Sequence, residues 1–598
     1  MSALAALAGR YERRAAVGDA PPFGYALQGV GWCLVLEPDG NPSAVIPLID
    51  ESGKKPRPRS IPVPRPEKRT SGIASNFLWD KTSYVLGVTA GDGKRLAKEH
   101  EAFKDLHRSA LAGSDDEGLR ALLAFLDRWR PEDFTEPMFP EAMKDGNVVF
   151  RLSTEQRFLH ERPAAKAVWA AMLAGGKAEE GLCLISGERG PIARLHPAIK
   201  GVWGAQSSGA SIVSFNLDAF ESYGHRQGEN APISEAAAFA YTTELNDLLA
   251  PGSRNRVQIG DASTVFWADA DEESRAADAE ATFAAFTGGY VDIEKQENSV
   301  ATIARGIAQG RPLAELAPQL AEGVRFYVLG LSPNASRLHM RYWFEGDFGT
   351  LAERFRRYYQ DLHIEPKPAG WNMPALNLIL ARTTALQGKF DNIPENLAGE
   401  VMRSILTGSA YPRTLLATAI MRLRAGDDPR AGWHAAVIKA CLVRAQGHPS
   451  AEGSPERAPR PSDMELPVAL DPDRDDQPYQ LGRLFAVMEA AQYAALGRVN
   501  ATIADRYYAA ASATPARVFG PLMRSMKVHI SDARKRGRGG WIEPRVTDIV
   551  AKLDPELKTS LTLEEQGRFA IGYYHERARA KKADDGTETQ AEQTEVDA

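Results

Sequence analysis

The residues with the most evident chemistry are Gln206, Ser207 and Ser208, set between Gly204 and Gly209. One amide and two hydroxyls on short side chains offer donors and acceptors without bulk. The flanking glycines let the backbone come close to another molecule. Such a loop suits contact with a polynucleotide, where small side chains and main-chain N–H groups reach phosphate and base edges. A tight polar surface turn is the other reading, and both stay open on these residues alone. The loop lacks the Lys-Ser/Thr of a P-loop. Its serines do not sit in Gly-x-Ser-x-Gly, so there is no nucleophile elbow.

The other chemistry-bearing groups point to binding more than to bond-breaking. Histidines show no metal-ligand spacing; His100 and His107 stand seven apart among Lys98, Lys104 and Arg108, which predicts a solvated helix face. His196 precedes Pro197 and reads as a hydrogen-bonded structural residue. Adjacent acids, Asp115-Asp116 and Asp475-Asp476, are poor evidence for carboxylates converging on paired ions. Cys33, Cys183 and Cys441 are isolated and apolar-flanked, which predicts buried free thiols in a reducing, cytoplasmic setting. No metal and no cofactor is expected.

The elements that must position these groups follow from pattern. Leu4, Leu7 and Tyr11 predict an amphipathic first helix, not a signal peptide. Gly31–Leu36, Ala44–Ile49, Phe77–Val88, Asn147–Leu152 and Ile212–Phe215 read as strands. Arg325–Leu331 and Leu338–Phe344 form the clearest hairpin, with Arg337, His339 and Arg341 on one face. Leu182–Ile185 and Ile192–Leu195 read as a smaller one, and Ser234 caps a helix to Leu249. Between residues 54 and 69 lie seven basic residues, five prolines and one acid. Proline stiffening and like charge predict an exposed, extended basic arm.

After Glu365-Pro-Lys-Pro368 strand signals fade. The fold class is therefore α+β: a mixed N-terminal region with β-hairpins and helices, then an all-helical C-terminal region. The expected division is 1–368, a helical region 369–446, a linker 447–477, a helical bundle 478–580 and a disordered acidic tail 581–598. In the bundle, residues 517–538 hold seven Lys and Arg side chains, Arg524, Lys527, Arg534, Lys535, Arg536 and Arg538 among them. With 598 residues and a net charge of −6, any nucleic-acid contact must come from local basic patches. No apolar run approaches the ~18 residues that would span a bilayer.

The block from Ala193 to Asn216 continues through Phe220-Glu-Ser-Tyr-Gly224, Asn230–Glu235 and Ala240-Tyr-Thr-Thr-Glu-Leu-Asn246. Together with Asn76–Gly87, Asn500–Tyr507, Ser512–Ala516 and Glu565–Tyr574, it resembles the large subunit of type I-C CRISPR surveillance complexes (Cascade). The resemblance implies a non-catalytic subunit that recognises the protospacer-adjacent motif, binds target double-stranded DNA and supports strand opening. It implies as partners the guide RNA, the Cascade backbone and 5′-handle-binding subunits, and a helicase-nuclease recruited to the opened target. It also implies a small helical subunit made from an internal start, with Met464 and Met488 as candidates. By residue type and place in or near these blocks, Asn76, Gln206, Ser207 and Ser208 are the candidates for base edges. Lys54, Lys55, Arg57, Arg59, Lys81, Arg194 and Lys200 are the candidates for phosphate. A metal-dependent nuclease and a purely structural scaffold are the alternatives.

Overall fold

The structure, a computed structural model, describes residues 2–50, 56–67, 69, 72–174, 179–288, 299–371, 373, 375–385, 392–446 and 466–596. It is α+β, with strands confined to residues before 348 among those described. Packing divides the chain into two units: Met1–Ala198 with Val213–Leu245, and Ile199–Ile212 with Asn246–Ala598. The chain therefore crosses between units three times, twice at the base of the Gln206 loop.

In the first unit, the helix Ala3–Ala16 begins where the Ser2 hydroxyl accepts from Ala5 N–H, and it buries Leu7 and Tyr11. Arg10 and Arg14 meet the fully buried Glu244 carboxylate. The strands are β1 (Tyr25–Val30), β2 (Trp32–Leu36), β3 (Pro42–Pro47), β4 (Ile49–Asp50), β5 (Arg57–Pro64), β6 (Trp79–Lys81) and β7 (Asn147–Leu152), then β8 (Glu180–Leu182) and β9 (Arg189–Pro191). The central sheet runs β3-β2-β7-β6, with β2 and β7 parallel. Both faces of β2 are buried, which is why its sequence is a continuous apolar run. Leu34 and Leu36 join the core under the helices Leu96–Ala110 and Glu117–Arg128, where Phe103, Leu122 and Phe125 pack. Cys33 and Val35 face Ile61 and Val63 of β5.

Several expectations change here. Phe77–Val88 is not one strand: β6 has three residues, and Thr82–Val85 is a helical turn. Tyr84, Val85 and Leu86 are buried in succession, a pattern a half-buried strand does not allow. The proline-rich arm is folded where it is described. β5 pairs with β1 and β4, burying Ile61 and Val63 while Arg57–Ser60 stay exposed. Proline's fixed φ suits an extended strand as well as a free arm. Lys54 and Lys55 lie outside the described residues. His100 and His107 are buried core residues, not a solvated face. The smaller hairpin forms from β8 and β9, overlapping the predicted runs only at Leu182, with Cys183 in the turn. The Cys183 sulfur accepts main-chain N–H groups from Ile185, Ser186 and Ser234 at 3.3–3.5 Å. Burial raises that thiol's pKa, but hydrogen bonds from the side chains and main chains of Ser234 and Ser186 outweigh it and bring it to about 7.

The second unit contains the antiparallel sheet β10 (Arg256–Ile259), β11 (Ala262–Asp269), β12 (Arg325–Asn334) and β13 (Arg337–Asp347), in that order. The predicted hairpin is β12–β13, with a bulge between Gly330 and Leu331. Arg341 pairs with Asp261 and Asn396, while His339 is exposed.

Helices follow, from Phe348–Leu362 through Leu376–Thr383, Glu395–Thr407, Arg413–Arg424 and Trp433–Gln446. The last are Gln477–Leu496, Ile503–Ala513, Pro515–Lys535, Ile542–Val550 and Leu563–Val596. The helix Gln477–Leu496 is buried almost all round. It crosses the last helix at Gly482 and Gly572, where a Cβ would come within 2.0 and 2.1 Å of the facing helix's carbonyl oxygens. Inside this contact, buried Arg483 binds Glu576 at 2.8 Å and Tyr573 donates to Glu489 at 2.6 Å.

This bundle and the sheet share one continuous apolar core. Within the expected linker, residues 466–476 are packed: Val468 O accepts from Glu365 N–H at 2.8 Å, and Leu466 and Arg474 are buried. The last helix runs on through residues 581–596, where a disordered tail was expected. Ala, Glu, Gln and Lys there are strong helix formers extending a helix already begun.

Candidate nucleic-acid interface

The Gln206 loop is built by its ends. Ile199 and Ala210 exchange both main-chain hydrogen bonds, at 2.8 and 2.9 Å. Gly201 and Gly209 at the two ends take φ of +85° and +92°, which a side chain would strain. A Cβ on Gly201 would also stand 2.6 Å from Leu249 O. Inside the loop, Ala205 N–H donates to Val202 O and Gly209 N–H to Gln206 O, at 3.1 and 2.9 Å.

The loop is seated on the four-stranded sheet. Trp203 N–H donates to Ser263 Oγ of β11 at 2.9 Å. Ser211 N–H donates to Ser336 O and its carbonyl accepts from Leu338 N–H, at 3.2 and 2.9 Å. Pairing stops there, and Ile212–Phe215 is not the strand expected; β-rich content without a neighbouring strand does not form one.

On this seat Gln206, Ser207 and Ser208 are all exposed, as is Lys200, whose N–H is held by Asn246 Oδ1 at 2.8 Å. The sequence reading missed Trp203, which is 58% exposed beside them.

Asn76 has a different role. Its side chain is buried, and its carboxamide oxygen accepts from Glu67 N–H at 3.0 Å. Its own N–H donates to Asp80 Oδ2 at 2.9 Å, and Asp80 Oδ1 accepts from Lys81 N–H at 2.8 Å. The Arg69 guanidinium pairs with the same carboxylate and lies 4.0 Å over the Tyr84 ring. Burial raises the Asp80 pKa against the pull of Arg69.

This turn presents exposed Lys81 to a cleft of about 440 Å³, lined also by Arg69, Asp92, Lys94, Arg95 and Glu99, with Lys94 3.7 Å from the Asp92 carboxylate. Arg57, Arg59 and Arg194 are exposed and have no carboxylate partner among the described residues.

The candidates therefore separate. Lys200 and Gln206–Ser208 are together on one loop of the second unit; Asn76, Lys81, Arg57, Arg59 and Arg194 belong to the first. His196 is buried against Tyr241, 2.6 Å from its hydroxyl, and burial lowers its pKa to about 4. Among the described residues no group of three or more His, Cys, Asp or Glu is arranged to hold a metal ion. No described helix is long and apolar enough to cross a membrane.

No curated protein matches the chain. The model of the CRISPR-associated protein family Cas_Csd1 matches residues 7–580. With nearly the whole chain covered, and with the large-subunit resemblance running through the same blocks, the protein belongs to the Cas_Csd1 family of CRISPR-associated proteins, as a Cascade large subunit.

Proposed function

We propose that the protein is the non-catalytic large subunit of a type I-C Cascade and that the Lys200–Gly209 loop reads the protospacer-adjacent motif. One observation carries this. Gln206, Ser207 and Ser208 are exposed on a loop that main-chain bonds hold in shape without them. Side chains that hold nothing in the fold are free to bond a base edge, and the loop costs little ordering when it binds. Trp203 adds a flat apolar surface that can enter a minor groove or press on a sugar. Lys54, Lys55, Arg57, Arg59, Lys81, Arg194 and Lys200 supply phosphate contacts. Asn76 acts by fixing the turn that presents Lys81.

One acid of each adjacent pair is engaged in holding the fold. Asp116 caps the helix Glu117–Arg128 and binds Arg162 at 2.8 Å, and Asp476 binds Arg568 at 3.0 Å. Guide RNA would read the remaining target sequence, and a helicase-nuclease would cut it. The small helical subunit fits a start at Met464, outside the described residues. Met488 is buried within the helix Gln477–Leu496, and starting there would cut that helix. In the full chain the bundle is covered by Ile438 and Leu442 near Gly567, so a short product needs another surface over that face.

The test is a gel shift on assembled complex with duplexes differing only in the flanking base pairs. Gln206→Ala is expected to reduce discrimination roughly tenfold or more, since one good amide–base pair contributes ~1–3 kcal/mol. Undiminished discrimination in that variant and in Ser207→Ala/Ser208→Ala would remove the loop from motif reading. Cutting of the duplex by purified protein with Mg²⁺ or Mn²⁺, abolished by one acidic substitution, would replace the proposal with a nuclease.

A further inference from the structure

Residues 217–230 of the first unit play no part in the motif reading proposed above. They form a loop with three large apolar side chains in seven residues, all open to solvent: Leu217 is 55%, Phe220 39% and Tyr223 98% exposed. Tyr223 is the tip. Its φ of +53° is a backbone conformation that bulky side chains rarely adopt. Such strain persists only where the surroundings hold it. Here Asn230 does so. Its side-chain oxygen accepts from Ser222 N–H at 3.0 Å, and its amide donates to His225 O and Gln227 O at 3.1 Å. His225 N–H donates to Ser222 O at 3.0 Å, closing the turn around Tyr223 and Gly224. The base is fixed at Gly228, whose N–H donates to Arg194 O at 3.2 Å and where a Cβ would stand 2.0 Å from Ala193 O.

At that exposure the Tyr223 ring holds nothing in the fold. A loop closed in advance around an outward aromatic has little ordering left to lose on binding. Aromatic anchors that fill a partner's pocket carry much of the energy of a protein interface. The charges decide the partner. Asp218 and Glu221 flank Phe220, both exposed and neither ion-paired among the described residues. Glu229 makes a third acid, and Arg226 is the loop's only Lys or Arg. A polynucleotide would bring phosphates against these carboxylates and is repelled. A second copy fits no better, because a two-fold interface sets the patch against its own image, acid against acid. What fits is a protein with an apolar pocket and lysine or arginine at its rim.

We infer that the 217–230 loop is a protein-docking anchor, in which Tyr223 and Leu217 enter an apolar pocket of a basic-rimmed partner while Asp218 and Glu221 pair with that rim. The partner is a protein of the remaining Cascade assembly, so the inference rests on family membership and not on the reading of base pairs by Gln206.

The experiment measures binding of the full-length chain to immobilised guide-loaded complex assembled without it, at several salt concentrations. Leu217→Ser/Tyr223→Ser is expected to weaken binding by about tenfold or more, through faster dissociation. Tyr223→Phe should bind as the parent does. Asp218→Lys/Glu221→Lys is expected to slow association by about tenfold at low salt, with the difference shrinking as salt rises. All four side chains are exposed, so melting temperatures should match the parent. Gln206→Ala should dock normally, which separates this result from motif reading. Parent-like docking by either double variant overturns the inference. Two other outcomes also overturn it: lost duplex affinity with docking intact, which assigns the loop to DNA, and a free parent chain that is dimeric where the variant is monomeric, which assigns it to a second copy.

Discussion

Asn76 and Gln206 carry the same carboxamide, stand in comparable polar stretches and look alike as base readers, yet the fold uses them in opposite ways. Around Asn76 the side chains make the structure: its oxygen takes Glu67 N–H, and Asp80 gathers Asn76, Lys81 and Arg69. Around Gln206 the backbone makes the structure, through Ile199 with Ala210, and the side chains are left over. A polar residue is available for recognition when the main chain has already closed the loop without it.

The contrast breaks if the first region tolerates substitution or the second does not. The largest effect is expected for Asp80→Ala. It removes a buried carboxylate and strands Arg69 and two N–H groups, which should cost about 3–5 kcal/mol in denaturant unfolding.

Acid should come next, and of the two segments compared it should act directly on the one that His107 holds. His107 Nδ1–H donates to Phe103 O at 2.7 Å, while Nε2 accepts from Leu78 N–H at 2.8 Å. A second proton on that ring would oppose Leu78 N–H, and burial holds the folded pKa at about 4 against the ordinary histidine value of 6.5. The unfolded chain therefore binds the proton first. Stability is complete above pH ~6.5 and is lost as pH falls toward 4, by on the order of 3 kcal/mol from this residue. Hydrogen exchange at pH 7 and pH 5 should show residues 76–86 loosening. The 199–210 loop, whose bonds run to backbone, Ser263 and Asn246, should not.

Asn76→Ala should cost about 1–3 kcal/mol, the consequence of leaving a partly buried N–H unpaired. Smallest of all, Gln206→Ala should change stability by under ~0.5 kcal/mol while altering motif discrimination. A Gln206 variant that melts early would show that its side chain, too, is structural.

Much of the architecture was legible because it is local. Apolar runs marked β2, β7 and the β12–β13 hairpin, and fading strand signals placed the helical half. The polar, glycine-bounded loop was legible as an exposed turn, since nothing in it could pack. What escaped depends on distant partners. Asn76 is buried by Glu67 and Asp80. His107, on a helix that looked solvated, was needed to satisfy Leu78, whose φ of +62° turns its N–H inward. Ile212–Phe215 had the composition of a strand and no strand to join.

The paired ends of the 199–210 loop have one more consequence. A segment whose shape is set at its stem can exchange its tip freely. On the proposed reading of the loop, substitutions at 206–208 would leave folding almost untouched while shifting the flanking-sequence preference, so new preferences would arise by small steps, each passing through a working protein.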